Sequence, residues 1–255
     1  MQRYFIQLSY NGTAYHGWQV QENTIQTVQQ VLNEMLSRLL NESIGIMGCG
    51  RTDTGVHARE YFAHFDSNKV DLLIDKKRLL FKFNHALPAD IVIHDIIAVS
   101  EKANARFDAV ARTYQYIVCR KKNSFQVERA YFFYDDLNID EMNKAAKVLF
   151  DYEDFSSFAR SNTQTSTNIC KLYKAEWKEE GEFLIFTISA NRFLRNMVRA
   201  IVGTLLKVGK GKMTIDEFKK VIESKDRSNA GLSALACGLY LTKVEYPANY
   251  FEKIK

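Results

Sequence analysis

The chain has 255 residues, 35 Lys and Arg against 30 Asp and Glu, a formal net charge of +5, and an ordinary hydrophobic share of 46%. That composition excludes a disordered, collagenous or coiled-coil chain, and its uncharged runs fall short of the roughly 18 apolar residues that a membrane span needs. Cys49, Cys119, Cys170 and Cys237 are scattered without CxxC or His spacing, so neither a zinc site nor a disulfide framework is implied.

Arg3 to Tyr10 alternates as a strand with Tyr4, Ile6, Leu8 and Tyr10 on one face, and it lacks the apolar stretch of a signal peptide. A cytoplasmic enzyme or binding protein is therefore expected. A Gly- and aromatic-rich loop runs on to Gln21. Ile25, Val28, Leu32, Met35, Leu36 and Leu39 then recur at helical spacing, behind a capping pair read as Asn23 and Gln26. Tyr61 to Asp66 reads as a strand, Lys76 to Asn84 as a helix and Ile91 to Val99 as a buried strand.

The second half repeats this rhythm. Arg112 to Cys119 is a strand with Tyr114, Tyr116 and Val118 on one face, and Ile139 to Phe150 is a helix entered through Asn138 and Glu141. Strands at Lys171 to Lys178 and Phe183 to Ala190 flank a turn at Gly181. Helices follow at Phe193 to Lys207 and at Ile215 to Ile222, the latter behind a Thr214/Glu217 capping box, and Leu239 to Tyr246 closes as a strand. Only Pro88 and Pro247 are prolines, and no long linker occurs, so two lobes must be closely joined. The expected fold is α+β, with two split-βαβ-like halves divided as residues 1–104 and 105–255 and no residue-level duplication between them.

Chemistry concentrates in Gly48-Cys49-Gly50-Arg51-Thr52-Asp53-Thr54-Gly55-Val56-His57-Ala58. Glycines around one Asp let the backbone turn sharply and approach a ligand. A carboxylate with the reference pKa of about 3.9 is ionised at neutral pH, which suits a nucleophile or electrostatic stabiliser better than a general acid. Composition alone leaves two readings of Asp53 open: that carboxylate, or an Asx-turn in a tight loop. The Gly203 to Gly211 segment fails the spacing of a phosphate loop. His57 and His64 lack a third metal ligand, and His57 is read as a hydrogen-bonding residue that steadies the loop; His16, His85 and His94 carry no signal.

From Phe183 to Ile215 there is no acidic residue, while Arg192, Arg195, Arg199, Lys207, Lys210 and Lys212 all fall there, which suggests a positive surface. In a continuous helix Arg192, Arg195 and Arg199 lie within about 60° of one another, a wall suited to a polyanion. Tyr114 and Tyr116 beside Arg112 suit stacking on a base next to a phosphate contact, or simply packing in a sheet core.

Over nearly its full length the sequence resembles the tRNA pseudouridine synthase A (TruA) family. The carrying motifs are Gly50-Arg51-Thr52-Asp53-x-Gly55-Val56-His57-Ala58, Tyr10-x-Gly12-Thr13-x-Tyr15-x-Gly17-Trp18-Gln19-x-Gln21 and Asn84-x-x-Leu87-Pro88-x-Asp90-Ile91. Ala105-Arg106-Phe107 running on to Arg112-x-Tyr114-x-Tyr116, and Phe193-Leu194-Arg195-x-Met197-Val198-Arg199-x-Ile201-Val202-Gly203, complete the set in family order. The sequence departs from the family at Asn11, where Asp is usual, and at Thr54, where Ala is frequent. It departs again in Ala230-Gly231-Leu232-Ser233-Ala234-Leu235-Ala236, where the family has Ala-Gly-Pro-Thr-Ala-Pro-Ala.

The resemblance implies an isomerase that converts uridine to pseudouridine at positions 38, 39 and 40 of the tRNA anticodon stem-loop. It implies Asp53 as nucleophile, Tyr114 stacked on the uracil, Arg199 paired with the carboxylate and Arg51 in the space of the flipped base. Attack at C1′, attack at C6 and a glycal route all stay open. It further implies sheets joined around a central cleft, a cytoplasmic homodimer and no metal or other cofactor, since isomerisation involves no net redox change. Two other classes compete: a non-catalytic RNA chaperone, against which the intact Asp53, Arg51 and Tyr114 argue, and a glycosidase acting on free nucleosides, for which Asp53 lacks a second acid partner.

Overall fold

The structure is a computed structural model describing residues 1–22, 24, 26–160 and 167–251. It is mixed α+β, and its contacts form two compact units: Met1–Val110 with Leu241–Lys255, and Ala111–Tyr240. The sequence reading instead divides the chain after residue 104 and keeps the C-terminal strand with the second half.

The first unit contains β1 (Gln2–Tyr10), α1 (Val28–Leu40), β2 (Met47–Gly48), β3 (His57–Ser67), α2 (Lys76–Ala86) and β4 (Ile91–Val99). β1 lies between β3 and β4 and is antiparallel to both, with Ile6 opposite Ala63 on one side and Ile96 on the other. Because side chains alternate along a strand, Tyr4, Ile6 and Leu8 bury on one face and Phe5 on the other. Phe5 meets Tyr246, Tyr250 and Phe251, with ring centroids 5.8–5.9 Å apart. That aromatic cluster is what draws the chain's C-terminal residues into the first unit, where the Val110 amide also donates to the Glu245 carbonyl.

α1 buries Val28, Leu32, Met35, Leu36 and Leu40, whereas Leu39, expected on the apolar stripe, is exposed. Its N-cap is Thr27, whose side chain accepts the Gln30 amide, an interaction worth about 1 kcal/mol. The capping pair read ahead of this helix includes Asn23, which with Ile25 lies outside the described residues. α1 ends on Asn41 in the left-handed region.

The second unit contains β5 (Ala111–Cys119), β6 (Tyr131–Phe132), α3 (Ile139–Val148), β7 (Leu172–Glu180), β8 (Phe183–Ala190), α4 (Met197–Gly209) and α5 (Ile215–Glu223). β8 lies between β5 and β7, antiparallel to both, and β6 adds a short parallel pairing to β5. Asn138 caps α3 through the Glu141 amide, and the Thr214/Glu217 capping box opens α5, both where the sequence places them. Asn143 on α3 exchanges two hydrogen bonds with the Trp177 backbone in β7, fastening helix to sheet. A final strand, β9 (Leu239–Glu245), runs from the second unit into the first, where the Val244 amide donates to Glu60. No helix among the described residues is long and apolar enough to cross a membrane.

His64 on β3 is buried beneath Phe5, and its Nδ1 accepts the Ala105 amide at 3.1 Å. Burial, reinforced by the Arg3 guanidinium, pushes the imidazole down to about 4. In the unfolded chain the same ring takes its proton near pH 6.5. The unfolded state therefore binds the extra proton, and the contribution is full above about pH 6.5 and lost as pH falls toward about 4. Unfolding free energy should drop by about 3 kcal/mol through that window. His64→Gln should flatten this part of the profile when denaturant unfolding is followed against pH, and an unchanged slope would contradict the assignment.

Candidate active site

Residues 49–56 connect β2 to β3, and their course is set by close approach of main chain to main chain. A Cβ on Gly12 would stand 2.0 Å from the Val56 carbonyl oxygen, and one on Gly17, itself at φ +85, would stand 2.4 Å from that of Thr52. Only glycine permits this contact, so the 10–18 loop can lie directly on the Asp53 loop. Hydrogen bonds stitch the two together. The Trp18 amide donates to Thr52 (3.2 Å) and the Gly55 amide to Tyr15 (3.3 Å). Tyr10 and Thr52 share a buried hydroxyl contact of 2.8 Å.

His57 closes the other side. The Gly12 amide donates to its Nδ1 at 3.0 Å, which leaves the neutral ring's proton on Nε2. The sequence reading of His57 as the residue that steadies the loop matches this geometry. Gly48 backs the loop from below: Trp18 and Tyr61 stack 4.2 Å apart, and a Cβ on Gly48 would strike both. The Tyr61 hydroxyl reaches over to donate to the Gly50 carbonyl.

Asp53 thus sits half-buried at the crest of a turn, closed by the Val56 amide on the Asp53 carbonyl at 3.1 Å and by Gly55 at φ +76. Backbone contacts hold this loop in place. Arg51 is exposed, two residues away on the same loop.

Two further residues bear on the site that sequence reasoning left without a role, although both stand in the family motifs. Asp90, just before β4, accepts the Tyr15 hydroxyl at 2.6 Å, and its carbonyl accepts the Asn11 amide. Burial and that carboxylate push the Tyr15 phenol far above its ordinary range, so it stays a donor.

Tyr114 and Arg199 belong to the second unit. Tyr114 is half-buried on β5, opposite Ile188, with its ring edge-on to Phe193 at 5.1 Å. Tyr116 is wholly buried, its hydroxyl on the Leu235 carbonyl, and so takes the core reading of the pair. Arg199 stands in the first turn of α4, where its Nε donates to the Ala234 carbonyl at 2.7 Å.

The three arginines do not share one continuous helix. α4 starts at Met197, four residues later than the sequence pattern predicts, because Asn196 takes the left-handed conformation at φ 66. Arg192 and Arg195 therefore precede the helix, and the Arg195 carbonyl instead accepts the Arg160 amide. The acid-free stretch is also partly neutralised from elsewhere in the unit, since Lys210 pairs with Asp135 and lies over the Phe133 ring.

A family model described as tRNA pseudouridine synthase matches residues 145–247. The tRNA pseudouridine synthase A of Bacteroides fragilis is 48% identical over 253 residues, 99% of this chain and 99% of its own. That of Bacteroides thetaiotaomicron is 50% identical over 256 residues, 99% of this chain and 94% of its own. That of Thermoanaerobacter sp. is 40% identical over 248 residues, 96% and 100% of the two chains. A solved dye-decolorizing protein from V. cholerae aligns over 95% of this chain and 91% of its own at a TM-score of 0.21 and 11% identity, too little likeness to carry an argument.

Gly12→Ala should force the two loops apart, at a cost of about 1–3 kcal/mol of overpacking. Urea unfolding would measure the loss, and hydrogen exchange should locate it as lost protection at the Gly55 and Val56 amides. Wild-type stability and protection in that variant would contradict the close-approach account.

Proposed function

Because the chain belongs to the tRNA pseudouridine synthase A family and is an isomerase, we propose that it converts uridine to pseudouridine at positions 38, 39 and 40 of the tRNA anticodon stem-loop, with Asp53 as the nucleophile. The observation that carries this reading is the Asp53 turn itself. One carboxylate is held, half-buried, on a loop whose backbone is fixed from both sides. Fixing a reacting group before substrate arrives lowers the barrier, and a displacement of about 1 Å can cost roughly a hundred-fold in rate.

The proposed reaction breaks the N1–C1′ glycosidic bond, turns the uracil while it stays bound and forms a C5–C1′ bond; the C5 proton leaves and N1 gains one. Atoms and electrons balance within the nucleotide, so the stoichiometry calls for no cofactor. A uridine in a paired stem must first leave the stack, at a cost of a few kcal/mol. Phosphate contacts to a cationic surface offset that cost. In this reading Tyr114 stacks on the uracil, Arg199 pairs with the carboxylate and Arg51 fills the space the base vacates. The reading extends to two split-βαβ halves whose sheets join around a central cleft, and to a homodimer working in the cytoplasm.

Asp53→Asn should abolish pseudouridine formation in an anticodon stem-loop RNA, scored by carbodiimide-reactive product, while tRNA binding stays within a few-fold of wild type. An active Asn variant would remove Asp53 from its role. Release of free uracil in place of isomerised RNA would instead favour glycosidase chemistry.

A further inference from the structure

Helix α2 carries an outward face that the Asp53 site does not use. Phe83 is its one fully buried side chain, whereas Lys77, Arg78, Phe81, Lys82 and His85 are all exposed. At 100° per residue those five positions span an arc of about 140°. Phe81 is 70% exposed, and its ring lies parallel to that of His85, 5.9 Å away at an interplanar angle of 9°. The helix contains no Asp or Glu; its cap, Asp75, is engaged by the Arg78 amide. Half-buried Lys76 pairs with Asp95, while among the described residues Lys77, Arg78 and Lys82 have no carboxylate partner.

An exposed aromatic ring rimmed by three unpaired cations matches a strand that offers flat bases and a chain of phosphates. A lipid surface would call for a continuous apolar face, and here a single ring stands among the charges. The position also fits. Asn84 exchanges two hydrogen bonds with Ile93, both 2.8 Å, which anchors the end of α2 that carries His85. Asp90, five residues beyond His85, is the acceptor for Tyr15 and Asn11 in the loop that covers the Asp53 turn. Tyr10 stands opposite both Ala58 on β3 and Ile91 on β4, so the exit of α2 and the Asp53 loop lie at one end of the first unit's sheet.

We propose that this face binds the phosphate backbone of the tRNA strand next to the reacting nucleotide, with one base stacked on Phe81. The inference rests on the tRNA reading above and adds a second contact surface to it.

The test is equilibrium binding of the full-length chain to an unmodified tRNA transcript over a range of salt concentrations, with pseudouridine formation measured in parallel. Combined replacement of Lys77, Arg78 and Lys82 by Gln should weaken binding about ten-fold or more at low salt, and should reduce the slope of log affinity against log salt by about two. Phe81→Ala should weaken binding by roughly ten-fold and leave the slope unchanged. Thermal melting should stay near that of wild type in both, because every replaced side chain is exposed. If the wild-type chain modifies tRNA and both variants keep its affinity and slope, this inference fails while the proposed function stands. Variants that keep tRNA affinity but lose binding to phosphatidylserine vesicles would reassign the face to a membrane and overturn it. A wild-type chain that neither binds nor modifies tRNA would fell the functional reading itself.

Discussion

The Asp53 site depends on two stretches of main chain lying closer together than any side chain would allow. Gly12 and Gly17 leave no Cβ between their loop and the Val56 and Thr52 carbonyls, and hydrogen bonds join the two stretches across the contact. A buried backbone amide without a partner is costly, so each such bond penalises any other course of the chain. The turn that carries the carboxylate is therefore set by contacts of main chain with main chain.

Around that contact the sequence spends its aromatic and polar residues as braces. Trp18 and Tyr61 fill the space under Gly48, Tyr10 ties to Thr52, His57 takes the Gly12 amide, and Tyr15 ties the covering loop to Asp90. These links come from β1, β3 and the segment ahead of β4, so the turn inherits the rigidity of a paired sheet. This is how a loop can position a reacting group as firmly as a strand.

The second unit solves a related problem differently. Residues 230–235 carry Leu232 and Leu235 where the resembling family has prolines, which removes a built-in restriction on the backbone. Here hydrogen bonds hold the segment. Arg227 donates to the Gly231 carbonyl and the Ser233 hydroxyl, Thr204 accepts the Gly231 amide, and Ala234 exchanges bonds with Arg199. The Leu232 carbonyl sits where a Cβ on Gly203 would be, so helix and segment interlock. The Leu232 side chain is left 89% exposed, and nothing in the structure explains it.

Features governed by neighbours a few residues apart were legible in the sequence. β4 and β8 begin and end where the apolar run at Ile91–Val99 and the turn at Gly181 place them, α5 opens at its capping box, and the glycine-bounded Asp53 motif marked the turn that the structure builds. Three features were not. The delayed start of α4 follows from one left-handed Asn, which breaks the arginine spacing that a continuous helix would have given. Thr27 caps α1, where the first-turn amides of Val28 and Gln29 already donate to the Gly17 and Trp18 carbonyls. The assignment of residues 241–251 to the first unit depends on Phe5, more than two hundred residues away. Periodicity and capping are local energies and can be read along the chain. Which glycine faces which carbonyl, and which strand end shelters which ring, depends on contacts between distant segments that form only when the core closes, and tertiary structure alone decided those.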